Sequence, residues 1–378
     1  MSEYQYYEFK AIDHPLGQAD QAALRALSTR ARITTTRFTN SYEWGNFKGD
    51  PTKLMEKWFD LHLYLTNWGT RRLMIRWPAR LVDRHQISAF LSNEDDVTFH
   101  ASGENLILDI CVEDIETEGD EDGSDWLTAL APLRADVLGA DLRLFYLLWL
   151  RSVAANAFKP DEPEPMPGIG PMTDALNSFA HFFDIDPDLV AAAAERSADP
   201  GTEQGRSRTA AAPIIAALSD QEKTTLLIRL FDGDAHVGNE LRALVRSRLM
   251  STVNAPLVTP RTVEELRARA TALRHARERA QRDKAATERK KLEAEAQRAH
   301  RVRLNALLQK DESVWREIET EIERRNASGY DRAAGLLLDL KAIAAEQGTT
   351  EDFARHLRTI RERHARKERF IERLVKLG

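Results

Sequence analysis

Between Thr262 and Lys310 the chain runs without a single glycine or proline. No other feature restricts its architecture so sharply. About 48 residues at ~1.5 Å each make a helix of roughly 70 Å, more than twice the span of a small domain. Residues 261–310 carry 15 basic and 7 acidic side chains, a net +8 inside a chain whose overall charge is −6. Apolar positions begin in helical spacing at Val263, Leu266, Ala270 and Leu273, then thin to alanines between Arg274 and Lys291. A seam that weak predicts an exposed spacer or loose helical pairing rather than a strong zipper. The 378 residues therefore divide around a basic rod.

The parts on either side differ. Residues 1–160 and 161–260 each carry a net −7, and 311–378 balance at 14 against 14. Of the 28 aromatic residues, 15 fall within the first 100, which places a dense core at the N-terminus. Tyr4 to Ile12 alternates with period two, setting Tyr7 and Phe9 on one face and Tyr4 and Tyr6 on the other. A helix follows over 18–28, then a strand from Arg32 to Trp44. Asp50 and Pro51 are an N-cap and first-turn pair. The helix they open is predicted to present Leu54, Met55, Trp58, Leu61 and Leu65 on one side and to stop at Gly69. Arg71 to Trp77 is a third strand, and Val97–Phe99 with Leu106–Val112 form a hairpin through Ser102-Gly103. An α+β domain of four or five strands results.

After the acidic run at 113–125, Pro132 and Gly139 break a helical stretch whose buried part is Leu142–Leu150. Residues 160–171, PDEPEPMPGIGP, read as an extended Pro-rich linker. Short amphipathic helices follow, with a polar loop at 198–208. The last region is a three- or four-helix unit, with Trp315, Ile318 and Ile322 on its first helix, 333–340 and Ile343 on its second, and Phe353, Leu357 and Ile360 on its third. Gly329 and Gly348 punctuate it. The predicted class is α+β and predominantly α. Its parts are an α+β domain (1–158), a linker (159–171), a helical bundle (172–260), a long basic helix (261–310) and a helical-hairpin unit (311–378).

Chemistry-bearing patterns are sparse. One cysteine, Cys111, excludes an internal disulfide and a zinc site built on several cysteines. No apolar run approaches the ~18–20 residues of a bilayer span. The opening MSEYQYYEFK lacks the basic and apolar regions of a signal peptide, so a cytoplasmic protein is expected. Asp114, Glu116, Glu118, Gly119 and Asp125 fall at the offsets of a calcium loop. Glutamates at two ligand positions, Glu121 where an apolar residue belongs, and a preceding strand instead point to a solvated acidic loop. His62 and Asp60, read as neighbours on a helix, point to different sides. Asp232, Asp234 and His236 are expected to cap and break helices. No GxSxG, HExxH, Walker A or GxGxxG is present, and no catalytic residue, cofactor or metal ligand set is predicted.

Two basic clusters are candidate contacts for a partner or for phosphate. One is Arg289, Lys290, Lys291, Arg298 and Arg301 on the rod. The other is Arg358, Arg361, Arg363, Arg366 and Lys367 near the C-terminus. Interspersed Glu278, Glu288, Glu293 and Glu295 fit a merely solvated helix equally well.

The segments YQYYEFKAIDHPL (4–16), TTTRFTNSYEWGNFKGDP (34–51) and LTNWGTRRLMIRWP (65–78) resemble a bacterial family of uncharacterised proteins. YDRAAGLLLDLKAIA (330–344) with FARHLRTIRERHARKERFIERL (353–374) resembles the tail of bacterial SWIM zinc-finger proteins. The finger's own CxC…CxH ligands are missing, so only the helical tail is carried over. That resemblance implies docking in a multiprotein assembly with a SWIM-type or helicase partner. The expectation is a non-enzymatic adaptor docking through its N-terminal domain and C-terminal unit. Two alternatives stay open: an accessory nucleic-acid-binding subunit using the basic helix, and an enzyme with a site around Trp44, Asn46, Asp50, Asn67 and Trp68.

Overall fold

The computed structural model describes residues 3–91, 96–116, 122–196, 211–252, 259–310 and 313–377. The chain forms two compact units, residues 1–276 and 277–378.

The first unit is built on a seven-stranded antiparallel sheet, in the order β2-β3-β1-β4-β5-β7-β6. Its strands are β1 (Gln5–Lys10), β2 (Arg32–Ile33), β3 (Arg37–Tyr42), β4 (Leu61–Thr66), β5 (Arg71–Pro78), β6 (Val97–Ser102) and β7 (Asn105–Val112). Helices α1 (Gln18–Leu27), α2 (Pro51–Lys57) and α3 (Arg84–Ser88) are interleaved with the strands. The α+β class is confirmed, with more strands than the sequence suggested. Two misreadings account for the difference. The Thr-rich stretch at 32–44 is split into β2 and β3, Thr34 closing the turn between them through its bond with Arg37. The helix opened by Asp50 ends at Lys57, and Leu61 and Leu65 lie on β4. A four-residue interval satisfies one helical turn and two strand repeats alike, and Leu61-His62-Leu63-Tyr64-Leu65 alternates strictly. Gly69 therefore serves the β4–β5 turn rather than a helix end. Its φ is +95°, and a Cβ there would lie 2.5 Å from the Ile115 carbonyl oxygen.

β1 is an interior strand between β3 and β4 and is buried on both faces. Phe9 and Tyr7 join Phe38, Leu24, Leu54, Met55 and Phe59 beneath α1 and α2. Tyr6 joins the larger core on the opposite face, formed by Leu63, Leu73, Ile75, Trp77, Leu108 and Ile110. That core is covered by α4 (Trp126–Leu130), α5 (Pro132–Leu138), α6 (Arg143–Ala154), α7 (Asp174–Phe182) and α8 (Pro187–Ala194).

Residues 159–171 do not behave as a spacer. Ile169 is fully buried in the larger core, and Glu164 is 3% exposed. Pro163 bridges Thr262, and the Glu164 N–H donates to the Arg261 carbonyl at 2.8 Å. Nor is 172–260 a bundle apart, because Phe179, Phe182, Leu189 and Ala193 belong to the same core as the sheet. This unit also contains α9 (Asp220–Phe231) and α10 (Val237–Thr252).

The rod is α11 (Val263–Leu308), 46 residues long. Val263, Leu266 and Ala270 are buried in the first unit's core, so the start of the helix is not the exposed spacer that its weak seam suggested. Every residue from 279 to 303 is exposed. Leu304 and Leu307 enter the core of the second unit, which is completed by α12 (Ser313–Glu323), α13 (Ala327–Gln347), α14 (Thr350–Arg363) and α15 (Glu368–Arg373). Gly348 ends α13 at φ +74°, as a C-capping glycine should. Gly329 lies inside the first turn of α13, where Asn326 caps its N–H at 2.7 Å. Close approach explains that glycine: a Cβ would stand 2.5 Å from the Glu321 carbonyl oxygen.

Candidate functional site

The two predicted basic clusters have different fates. On α11, Arg289, Lys290, Lys291, Arg298 and Arg301 are all exposed, and Arg289 has an ion pair with Glu293 at 3.6 Å. The other four have no ion pair among the described residues. The C-terminal cluster is largely used internally. Arg363 Nη1 pairs with Glu319 at 2.6 Å, and Lys367 Nζ pairs with Glu323 at 2.7 Å. Arg361 donates to the Leu374 carbonyl at 3.1 Å. His364, 5% exposed, donates from Nε2 to Glu319 at 2.6 Å. The bonds to Glu319 and Glu323 clamp α14 and the α14–α15 turn to α12, and that of Arg361 ties α14 to the end of α15. Arg358 and Arg366 remain exposed.

The residues named for an enzyme site gather at one end of the sheet, around the start of β1. Gln5 Nε2 donates to the Asn46 side chain at 3.0 Å and to the Gly45 carbonyl at 3.2 Å. The Tyr4 N–H donates to Asn67 Oδ1 at 2.9 Å. Asp50 accepts from the Thr52 and Lys53 N–H groups and caps α2. The polar members of the group are therefore occupied in holding loops and a helix end. The two tryptophans differ. Trp44 is 76% exposed and Trp68 47%, while Trp77 and Trp149 are buried and Trp58, Trp126 and Trp315 are partly covered. β3 leads into Trp44 and β4 into Trp68, and both strands pair with β1 with Gln5 opposite Tyr42 and Thr66. The register thus brings both indoles to the same end of the sheet.

A polar stripe crosses the sheet face that α1 and α2 cover only in part. Tyr7, Tyr64, Arg72 and Cys111 are successive partners across β1, β4, β5 and β7. Both phenols donate to Gln5 Oε1, at 2.8 and 3.3 Å. Arg72 forks onto Asp109 at 2.8 and 2.6 Å, a bond that raises the guanidinium pKa. His100 Nε2 lies 3.7 Å from Asp109 and 3.2 Å from the Thr98 hydroxyl. Burial pushes the Cys111 thiol up, which makes it a poor nucleophile. Burial likewise raises the Tyr64 phenol. Tyr7 is buried, while Tyr64, Arg72 and His100 are partly exposed and offer a hydroxyl, a guanidinium edge and an imidazole to a polar contact. Sequence reading missed the stripe because its members come from five separate strands, and only their register unites them.

The histidines and the acidic patterns resolve individually. His62 is on β4, not on a helix. Its Nδ1–H donates to the Glu8 carbonyl at 3.0 Å, and its ring stacks on Phe9 at 3.9 Å. Asp60 precedes the strand and accepts the Ile12 and Asp13 N–H groups and the Arg76 guanidinium. Asp232 ends α9, and Asp234 accepts the His236 N–H. His236 also reaches Asp13 at 3.0 Å, and Arg134 holds the same carboxylate at 2.6 Å. Of the calcium-loop pattern, 118 and 119 lie outside the described residues. Asp114 and Asp125 have φ of 59° and 71°. No group of three or more metal-ligating side chains occurs among the described residues, and no described helix is long and apolar enough to cross a membrane.

Comparison with protein-family models, curated proteins and solved structures finds no match. Architecture and surface chemistry alone therefore bear on function.

Proposed function

We propose that the chain is a non-enzymatic interaction protein of a multiprotein assembly, docking partners through its N-terminal domain and its C-terminal helical unit. The pair of exposed indoles at one end of the sheet carries this reading. Trp44 and Trp68 stand in solvent on loops that Asn46, Asn67 and the Asp50 cap hold in place. Tryptophan is the residue most enriched among energetic hot spots of protein interfaces, because one rigid side chain buries a large area at low entropic cost. The neighbouring stripe of tyrosines, Arg72 and His100 supplies the polar surroundings such an anchor uses.

The test is capture of partners by tagged full-length protein. The W44A/W68A double variant is expected to fold normally, since both rings are exposed, and to lose at least ten-fold in partner recovery. Undiminished recovery would remove the N-terminal docking face.

A second reading is favoured by one observation: Lys290, Lys291, Arg298 and Arg301 are exposed, and none has an ion pair among the described residues. In that reading the rod contacts a phosphate backbone, and affinity falls steeply with salt. The informative reversal is at those four positions. Reversing Arg361, Arg363 or Lys367 instead breaks bonds that hold the C-terminal unit together.

A further inference from the structure

α9 presents its apolar side to solvent. Leu227 is 64% exposed, Ile228 55%, Leu230 60% and Phe231 90%. Its opposite side is fixed to the body of the first unit. Arg229 forks onto Asp234 and Glu240 at 2.8 and 2.7 Å, and Arg80 reaches Asp234 at 3.0 Å. A surface helix ordinarily turns its apolar stripe inward and its charges out, so this orientation is inverted. Four large side chains expose on the order of 400–500 Å² of contiguous surface, the size of patch that marks an interaction site.

We propose that this face of α9 binds the same face of a second copy of the chain, the two helices antiparallel across a two-fold axis. Charge placement carries the choice of occupant. Residues 219–252 hold five acidic and five basic side chains, so two copies do not repel. Lys223, half-buried with its ammonium donating to the Ala216 carbonyl at 3.0 Å and 3.7 Å from the exposed Asp220, lies one turn before the apolar stretch, and the exposed Asp232 lies just after it. A two-fold axis passing between Leu227 and Ile228 sets Lys223 beside the second copy's Asp232, and Thr224 beside its Phe231. Parallel pairing would set lysine against lysine. Area agrees as well: two such patches bury roughly 1,000 Å² in total, the lower bound of a specific interface, which predicts a reversible dimer. The proposal is independent of the docking face at Trp44 and Trp68, which lies on other elements.

Sedimentation equilibrium of the full chain over about 1–200 µM tests it. A monomer–dimer equilibrium is expected, weakened at least ten-fold by Phe231→Glu with an unchanged circular dichroism spectrum. Lys223→Asp is expected to weaken the dimer several-fold, and adding Asp232→Lys to restore it, a rescue that mere hydrophobic stickiness would not produce. A monomer throughout that range overturns the proposal. So does a dimer indifferent to Phe231→Glu, or capture through this face of a foreign protein or a lipid vesicle by a chain that remains monomeric.

Discussion

His62 shows what burial does to a titratable group at the centre of a sheet. It is fully enclosed between Phe9 and the β1 backbone, and desolvation lowers its pKa to about 3, against an ordinary 6.5. The folded state therefore keeps the ring neutral while the unfolded chain takes up a proton as the pH drops below 6.5. Stability that is complete above that pH is lost as it falls toward 3, at up to about 1.4 kcal/mol per pH unit. Urea unfolding of wild type and His62→Leu at pH 7.5, 6 and 5 measures this. The wild type is expected to lose stability faster, by close to one proton's worth, and parallel curves would contradict the assignment. Beside it, Glu8 is 1% exposed, and burial raises its carboxyl even though Tyr6 and Arg37 bond to it at 2.8 Å. Neither environment was legible in the sequence. The alternation of Tyr4 to Ile12 identified β1 and both of its faces, but not that β3 and β4 would enclose it.

At the level of elements, the start of α11 depends on a buried ion pair. Arg261 is 6% exposed and donates from its main chain, Nε and Nη2 to Glu164, and from Nη1 to the Ala192 carbonyl. The Tyr146 hydroxyl adds a fourth donor to Glu164 at 2.7 Å. Arg261→Ala strands a buried carboxylate, and a loss of about 3–5 kcal/mol in chemical denaturation is expected. A change under 1 kcal/mol would mean that Glu164 finds water instead. This clamp is why the Pro-rich segment misleads. Proline and acidic residues signal an extended chain correctly, but extension does not imply exposure, and the partner that covers Glu164 lies far away in sequence. By contrast, α11 itself was readable. Val263, Leu266 and Ala270 keep helical spacing, and nothing between Thr262 and Lys310 can break a helix. Glycine was ambiguous at this scale: Gly348 ends a helix as expected, whereas Gly69 and Gly329 answer to backbone carbonyls that no local pattern reveals.

For the whole chain, the division into residues 1–276 and 277–378 rests on cores that share no residue. Calorimetry of the full chain is expected to resolve two transitions. Arg261→Ala should lower one of them. Ile318→Ala, which removes a fully buried side chain from the other core, should lower the second by about 2–5 kcal/mol. A single transition shifted by both substitutions would contradict independent units. Charge arithmetic anticipated a basic rod between acidic and neutral parts but drew too many boundaries, since composition shifts cannot show that 172–194 packs on the sheet. Of the candidate contacts, exposure separates the rod cations from the C-terminal ones, a distinction that a run of arginines does not carry. Trp44 and Trp68 were visible in the sequence as a group with Asn46, Asp50 and Asn67. Loop and cap chemistry for its polar members was legible there too, and the hydrogen-bonded Asn46 and Asn67 with the Asp50 cap agree with it; the exposure of the two indoles was not legible.

The central claim, that this protein works by binding other proteins, is tested most directly by affinity purification of the tagged full chain from its native cells. The preparation is split into nuclease-treated and untreated halves and read by mass spectrometry and absorbance ratio. The account predicts stoichiometric protein partners that survive nuclease and are lost with W44A/W68A. Partners that vanish with nuclease while nucleic acid co-purifies would contradict it and move the function to Lys290, Lys291, Arg298 and Arg301.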